Sequence, residues 1–184
     1  WEIPKGATVV LNPRGYQRHV RNDTFLRSIP NISAARPDTV FVAVGIEEDR
    51  TAQRWVRRLG IEPIVRPLPR VSQEEMAGLF RLADITVSPS EHDGTPNTLL
   101  EGMACDTPVV ASDIPGYSKV ARGGRDALLV PPDDAAALGT AIDKLLRNPD
   151  LGARLVASGR TRAEEFSMRR LADRYIEAYE DVVA

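Results

Sequence analysis

The stretch Ser88–Glu101, S-P-S-E-H-D-G-T-P-N-T-L-L-E, decides the reading of this chain. It follows a β-branched run, Asp84-Ile-Thr-Val-Ser88, and opens an apolar segment carrying Leu99, Leu100, Met103 and Ala104. The order is strand, polar loop, helix N-terminus. In an open α/β sheet such a junction lies at the carboxyl end of a strand, where ligands bind. Unpaired backbone N–H groups and the helix dipole favour an anion there, phosphate above all. Two carboxylates, Asp93 and Glu101, bracket the turn. A carboxylate repels phosphate but accepts hydrogen bonds from sugar hydroxyls. The combination points to a ligand that carries both groups, a nucleotide-sugar.

Thr95 followed by Pro96 predicts an N-cap with proline in the first helical position. Asn97 and Glu101 then fall at i, i+4 on one helix face. A blander account would make Asp93 a counter-charge to the helix dipole and leave Glu101 solvated. Gly94 favours the ligand account, because it lets a ligand approach the backbone closely.

Working outward, short apolar runs alternate with longer amphipathic ones. Strands are predicted at Thr8–Leu11, Thr39–Gly45, Ile61–Arg66, Ile85–Ser88, Pro108–Ala111 and Ala127–Val130. Helices are predicted between and after them at Asp23–Ala35, Asp49–Leu59, Gln73–Leu82, Pro96–Cys105, Pro115–Val120 and Asp134–Leu146. Val- and Ile-rich strands without polar alternation are expected where helices cover both faces of a parallel sheet. Regular β–α alternation predicts a Rossmann-like, doubly wound, six-stranded parallel α/β sheet. Ser72-x-x-Glu75 forms a capping box before Met76, Leu79 and Phe80. Asp133 or Asp134 caps the following helix, and Ser167 can cap the last. Residues 149–184 lack strand signals, so one or two helices end the chain. In the final one Leu171, Tyr175 and Tyr179 form an apolar stripe.

The chain has 184 residues, of which 42% are hydrophobic and 27% charged, enough for one domain with a full core. A net charge of −2 supplies no field to recruit nucleic acid or an anionic membrane. One cysteine, Cys105, excludes an intrachain disulfide framework and fits a reducing, cytoplasmic setting. No apolar run is long enough to span a membrane. Two histidines and one cysteine, widely separated, give no zinc site. The first residues, Trp-Glu-Ile-Pro-Lys-Gly, have neither an initiator Met nor a signal-peptide pattern. They read as a linker remnant, 1–7, preceding a domain at 8–166 and a terminal helix at 167–184.

The segment Gly94-x-Pro96-Asn97-Thr98-Leu99-Leu100-Glu101-x-Met103-Ala104-Cys105-x-Thr107-Pro108-Val109-Val110-Ala111-Ser112-Asp113 resembles the donor-binding half of retaining glycosyltransferases of family 4, which have the GT-B fold. The resemblance extends through Leu128-Leu129-Val130-Pro131-Pro132 and over essentially the whole chain. It implies transfer of a sugar, with retention, from a nucleoside-diphosphate sugar to an acceptor hydroxyl in glycan, cell-envelope or glycolipid synthesis. By this resemblance Glu101 would bond the donor ribose and Asp93 the transferred sugar. The amides of Gly94, Thr95, Pro96, Asn97 and Thr98 mark the segment that would hold the distal phosphate, proline contributing its place in the turn rather than an N–H. No metal or other cofactor is implied, and there is no Asp-x-Asp pair. The acceptor would come from an N-terminal domain that this chain does not contain. Any peripheral membrane association would run through that domain, and the isolated piece would transfer nothing.

After the first strand, Leu11-Asn12-Pro13-Arg14-Gly15-Tyr16-Gln17-Arg18-His19-Val20-Arg21 supplies cations. The family places an Arg and, five residues later, a Lys on the diphosphate. Arg14 matches the Arg; His19 stands at the Lys position, so Arg18 or Arg21 would have to serve. Their charge would stabilise the leaving group. Three further departures stand out. Asp93 replaces the usual Glu, one methylene longer. Asp106 replaces the Gly after the helix, a position that often needs left-handed backbone. Lys119 stands where the family often has Glu. Two other functions compete: a non-catalytic nucleotide-sugar-binding or interaction module of the same fold, and a dinucleotide-dependent oxidoreductase. The latter lacks any G-x-G-x-x-G.

Overall fold

A computed structural model describes residues 3–94 and 96–183, with side chains described through residue 180. The strands are β1 (Thr8–Asn12), β2 (Thr39–Val44), β3 (Val65–Leu68), β4 (Ile85–Ser88), β5 (Val109–Ser112) and β6 (Leu128–Val130). The helices are α1 (Asn22–Ala35), α2 (Arg50–Leu59), α3 (Gln73–Leu82), α4 (Asn97–Ala104), α5 (Pro115–Ser118), α6 (Ala135–Arg147), α7 (Pro149–Glu165) and α8 (Met168–Val183). All strand pairs are parallel, in the order β3-β2-β1-β4-β5-β6. This is the Rossmann-like doubly wound sheet that the alternation predicts.

The four inner strands, β2, β1, β4 and β5, bury both faces. Val10, Phe41, Ala43, Val65, Ile85, Val87 and Val110 pack against Phe25, Ile29 and Ile32 of α1, Val56 of α2 and Leu138 and Ile142 of α6. Val9, Leu11, Val40 and Val42 face the other way, onto Leu79 and Phe80 of α3. Val109 and Ala111 meet Leu99 and Met103 of α4 and Tyr117 of α5. Side chains alternate across a strand, so two helical layers need apolar residues at every position.

Local chemistry fixes most boundaries. Ser72 and Glu75 form the reciprocal capping box at α3. Asp134 caps α6 through the Ala137 N–H, and the Ser167 hydroxyl accepts from the Arg170 N–H at 3.3 Å. Asp106 takes left-handed backbone, φ 59°, directly after α4. The Asp106 N–H reaches Met103 O and the Thr107 N–H reaches Gly102 O, which completes a Schellman cap without glycine. The Asp106 carboxylate is held by Arg160 of α7.

Two boundaries differ from expectation. The third strand occupies Val65–Leu68, not Ile61–Arg66. Ile61 is buried, and its carbonyl accepts from the Ile64 and Val65 N–H groups, making a turn ahead of the strand. Pro67 is tolerated because β3 lies on the sheet edge. The fourth helix starts at Asn97, with Pro96 in the cap position and no side-chain cap bond. The predicted cap, Thr95, lies outside the described residues, as do the first two residues of the linker remnant.

No helix among the described residues is long and apolar enough to cross a membrane. The last helix is exposed through residue 180, with Met168, Leu171, Tyr175, Ile176 and Tyr179 in solvent.

Candidate functional site

The sheet order reverses between β1 and β4, and the loops leaving those strands diverge to open a crevice there. Arg14 follows β1, and Asp93 follows β4. The structure joins them directly: the Arg14 guanidinium is ion-paired to the Asp93 carboxylate. Arg14 also reaches toward the Ser90 hydroxyl at 3.5 Å. Its backbone is pinned from both ends. The Arg14 N–H donates to the Asn12 side chain at 3.2 Å, and its carbonyl accepts from the Asn22 side chain at 2.7 Å. The Asn12 and Asn22 side chains are buried, so this loop is anchored in the core.

Beneath the pair lies Tyr117 of α5, fully buried. Its hydroxyl is 2.6 Å from Ser88 Oγ and donates to Asp93 at 3.3 Å. Burial pushes the Tyr117 phenol above its ordinary pKa, with Ser88 pulling the other way, so the hydroxyl keeps its proton. A hollow of about 450 Å³ opens above, lined by His19, Glu91, His92, Asp93, Gly94, Ile114, Pro115 and Gly116. Its size suits a small ligand. Gly94 has open space around its Cα.

Glu101 stands one turn into α4, exposed at the edge of a second, more apolar groove. That groove, about 390 Å³, runs between α3 and α4 past Val71, Ser72, Met76, Phe80, Ala104 and Cys105. The groove wall withdraws water from the Glu101 carboxyl and raises its pKa. Among the described residues no side chain bonds it. Gly102 explains how α4 comes so near the sheet: a Cβ there would lie 2.7 Å from Thr86 Cγ2 of β4. The Thr98 hydroxyl at the start of α4 is buried with no partner among the described residues.

The predicted cations divide. Arg14 lines up with Asp93, whereas Arg18 is exposed on a 3-10 turn (Arg18–Val20) beside a neighbouring hollow. Arg21, the other cation expected near the diphosphate, is engaged by carboxylates. Its guanidinium is occupied by Asp23 at 3.1 Å through two nitrogens, by Asp133 and by Glu91 at 3.4 Å. Arg21 itself adopts φ 53° ahead of α1, so its side chain folds back and fastens the loop after β6 to α1. His19 is exposed, lines the Asp93 hollow, and accepts from the Glu91 N–H at 2.8 Å through its carbonyl. Lys119 is exposed, and its carbonyl accepts from Arg162 at 2.9 Å.

Sequence reasoning overlooked Gly116 and Tyr117. The signal was present in Pro115-Gly116-Tyr117: a glycine and an aromatic at the start of a short helix after an adjacent strand. Nothing in the spacing says that this helix folds back under Asp93. The sequence reads Ser88 as the end of a strand and Ser90 as loop, and assigns neither a role in the site.

Comparisons with known proteins agree with the fold. Residues 1–162 match the family model described as glycosyl transferases group 1. A D-inositol 3-phosphate glycosyltransferase of Streptomyces scabiei is 30% identical over 187 residues, covering 96% of this chain and 42% of the relative. One from Paenarthrobacter aurescens is 32% identical over 177 residues, covering 91% and 42%. The chain thus spans less than half the length of these curated relatives. Among solved structures, sucrose-phosphate synthase from Thermosynechococcus elongatus superposes with TM-score 0.85 at 25% identity, covering 98% of this chain and 46% of that one. The Anabaena protein HepE in complex with UDP and glucose gives TM-score 0.84 at 17% identity, covering 95% and 48%, a likeness of fold.

Proposed function

The chain belongs to the glycosyl transferases group 1 family, and from that premise we propose that it is the donor-binding half of a retaining glycosyltransferase. One observation carries this reading. Arg14, Asp93 and the N-terminus of α4 converge where the sheet order reverses, with Glu101 one turn further along beside an apolar groove. A nucleoside-diphosphate sugar has matching parts. The base and ribose fit the groove, with Glu101 accepting from the ribose hydroxyls. The diphosphate meets Arg14 and the amides of Gly94, Asn97 and Thr98, with Arg18 at the rim. The transferred sugar enters the hollow at Asp93.

The arrangement supplies positioning and charge stabilisation. As the bond to the sugar breaks, negative charge grows on the diphosphate. Arg14 and the helix N-terminus are already aimed at that charge. The scheme uses no metal: Arg14 and the helix N-terminus supply the positive charge that faces the diphosphate. The relatives named for D-inositol 3-phosphate suggest a phosphorylated polyol acceptor, delivered by the other half of a full-length protein in the cytoplasm. The apolar stripe of α8 would pack on that half.

The test is a thermal-shift screen against UDP, GDP, ADP and their sugars. Binding to the native state raises the melting temperature by mass action. One nucleoside diphosphate stabilising the chain, and no sugar transfer by this chain alone, is the expected result. Stabilisation by none of them, or robust transfer by the chain alone, overturns the reading.

A further inference from the structure

Asp93 is a short carboxylate on a loop beside Gly94, yet it is closely held. Its side chain is 12% exposed. Its backbone carbonyl lies so near Gly116 that a Cβ there would come within 2.0 Å of the oxygen. The hydroxyl of Tyr117 donates to its carboxylate at 3.3 Å and sits 2.6 Å from Ser88 Oγ. The Tyr117 ring is fully buried among Leu99, Met103, Val109 and Ala111, so the hydroxyl cannot turn to water instead. Adjacent residues of α5 therefore fix both the backbone and the side chain of one acid.

We propose that Gly116 and Tyr117 form a seat that sets the reach of Asp93 and thereby the enzyme's choice among donor sugars. The inference rests on the reading that Asp93 faces the transferred sugar. Tyr117 is a positioning residue that acts through Asp93. Arg14 also holds Asp93, but an arriving diphosphate competes for that guanidinium. Tyr117 is the contact that persists once the donor is bound. Ser88 donates to Tyr117 and Tyr117 donates to Asp93, a chain in which each bond polarises the next. A carboxylate held this way has one reach, so it favours a sugar whose hydroxyl meets it there. A longer Glu on the same seat would project further into the hollow.

The experiment compares this chain with its Tyr117→Phe, Asp93→Asn and doubly substituted forms by calorimetry. The probes are UDP, GDP and ADP and their glucose, N-acetylglucosamine and mannose forms. The quantity read is the preference for the best sugar-nucleotide over its parent nucleotide, which cancels changes in folding. Tyr117→Phe keeps the ring packing and removes only the hydroxyl. It should reduce that preference about tenfold and leave parent-nucleotide affinity unchanged. Asp93→Asn should reduce it at least as far, and the double variant should add little. Full sugar preference in Tyr117→Phe, with the preference lost in Asp93→Asn, overturns the inference and leaves the proposed function standing. A wild-type chain that binds a nucleotide but shows no sugar preference also overturns it. Failure to bind any of the nucleotides overturns the proposed function itself.

Discussion

Asp93 and Glu101 stand at the two ends of one loop–helix junction and are held in opposite ways. Asp93 is fixed through its side chain and its carbonyl by residues from other segments: Arg14 after β1, and Gly116 and Tyr117 on α5. Glu101 is fixed through its backbone alone, because α4 is clamped to β4 at Gly102. Its carboxylate has no partner among the described residues. A loop acid needs tertiary contacts to be placed at all, and those contacts consume its acceptor sites. A helix acid is placed by the helix, so its acceptor sites stay available. The two acids are thus suited to different tasks, Asp93 to fine discrimination and Glu101 to affinity.

The largest consequence falls on Glu101. Glu101→Ala should weaken nucleotide binding by about 2–4 kcal/mol, the range for charge-assisted bonds to a ribose diol in a partly dried groove. Calorimetry with the best nucleotide measures it. Folding stability should change little, since no protein group loses a partner. An unaltered Kd would break the comparison by showing that the unpaired acid has no ligand.

The clamp beneath Glu101 gives the next effect. Gly102→Ala would set a Cβ 2.7 Å from Thr86 Cγ2, with Val109 at 3.4 Å and Phe80 at 3.6 Å. The helix must lift or the strand must shift, at a cost of about 1–3 kcal/mol in stability. Urea unfolding reads that cost. Wild-type stability in this variant would mean that something other than close helix–sheet packing places Glu101.

These two acids also show how far a sequence reveals its site. The parallel sheet was legible because strand and helix segments alternate along the chain and Val40–Val44 is apolar at every position, a pattern that two-sided burial explains. The cap at Asp106 was legible because helix termination is local. Glu101 was legible for the same reason: its place follows from counting along one helix. The surroundings of Asp93 were not, because Tyr117 reaches it from another strand–helix unit. The ion pairs of Arg21 were hidden for a related reason. Its partners Asp133 and Glu91 come from two distant loops, and a charge count cannot see which cation has already been neutralised. The third strand slipped because Ile61 reads as a strand residue locally, whereas its burial ahead of the strand is a tertiary fact.

A third perturbation separates the acids by their coupling. Arg14→Gln removes the cation from Asp93, which stays mostly buried. The pair retains solvent access, with side chains 24% and 12% exposed, so the loss should be about 1 kcal/mol, below that of a fully buried pair. Adding Asp93→Asn should restore most of it, because the uncompensated charge disappears. Glu101→Ala combined with Arg14→Gln should instead be additive in stability, as the two share no contact. Urea unfolding of the single and double variants gives the cycle, and strong coupling between Arg14 and Glu101 would erase the distinction.

The smallest effect is a fraction of a proton. Burial raises the Glu101 carboxyl above the ordinary glutamate value. Between those two values the folded chain binds more protons than the unfolded one, so this group's contribution to stability falls as pH rises through the window. A ribose diol bonding the ionised carboxylate favours the charged form and pulls the pKa back down. Donor binding inside that window must therefore release protons, and the release fades as pH rises above the window. Calorimetry in two buffers of different ionisation enthalpy counts the protons. A nucleotide-sugar is the right probe, because its diphosphate lacks the terminal ionisation of a free nucleoside diphosphate. Glu101→Gln should abolish the release. Release that persists in Glu101→Gln would place the titrating group elsewhere and deny Glu101 the ligand contact that sets it apart from Asp93.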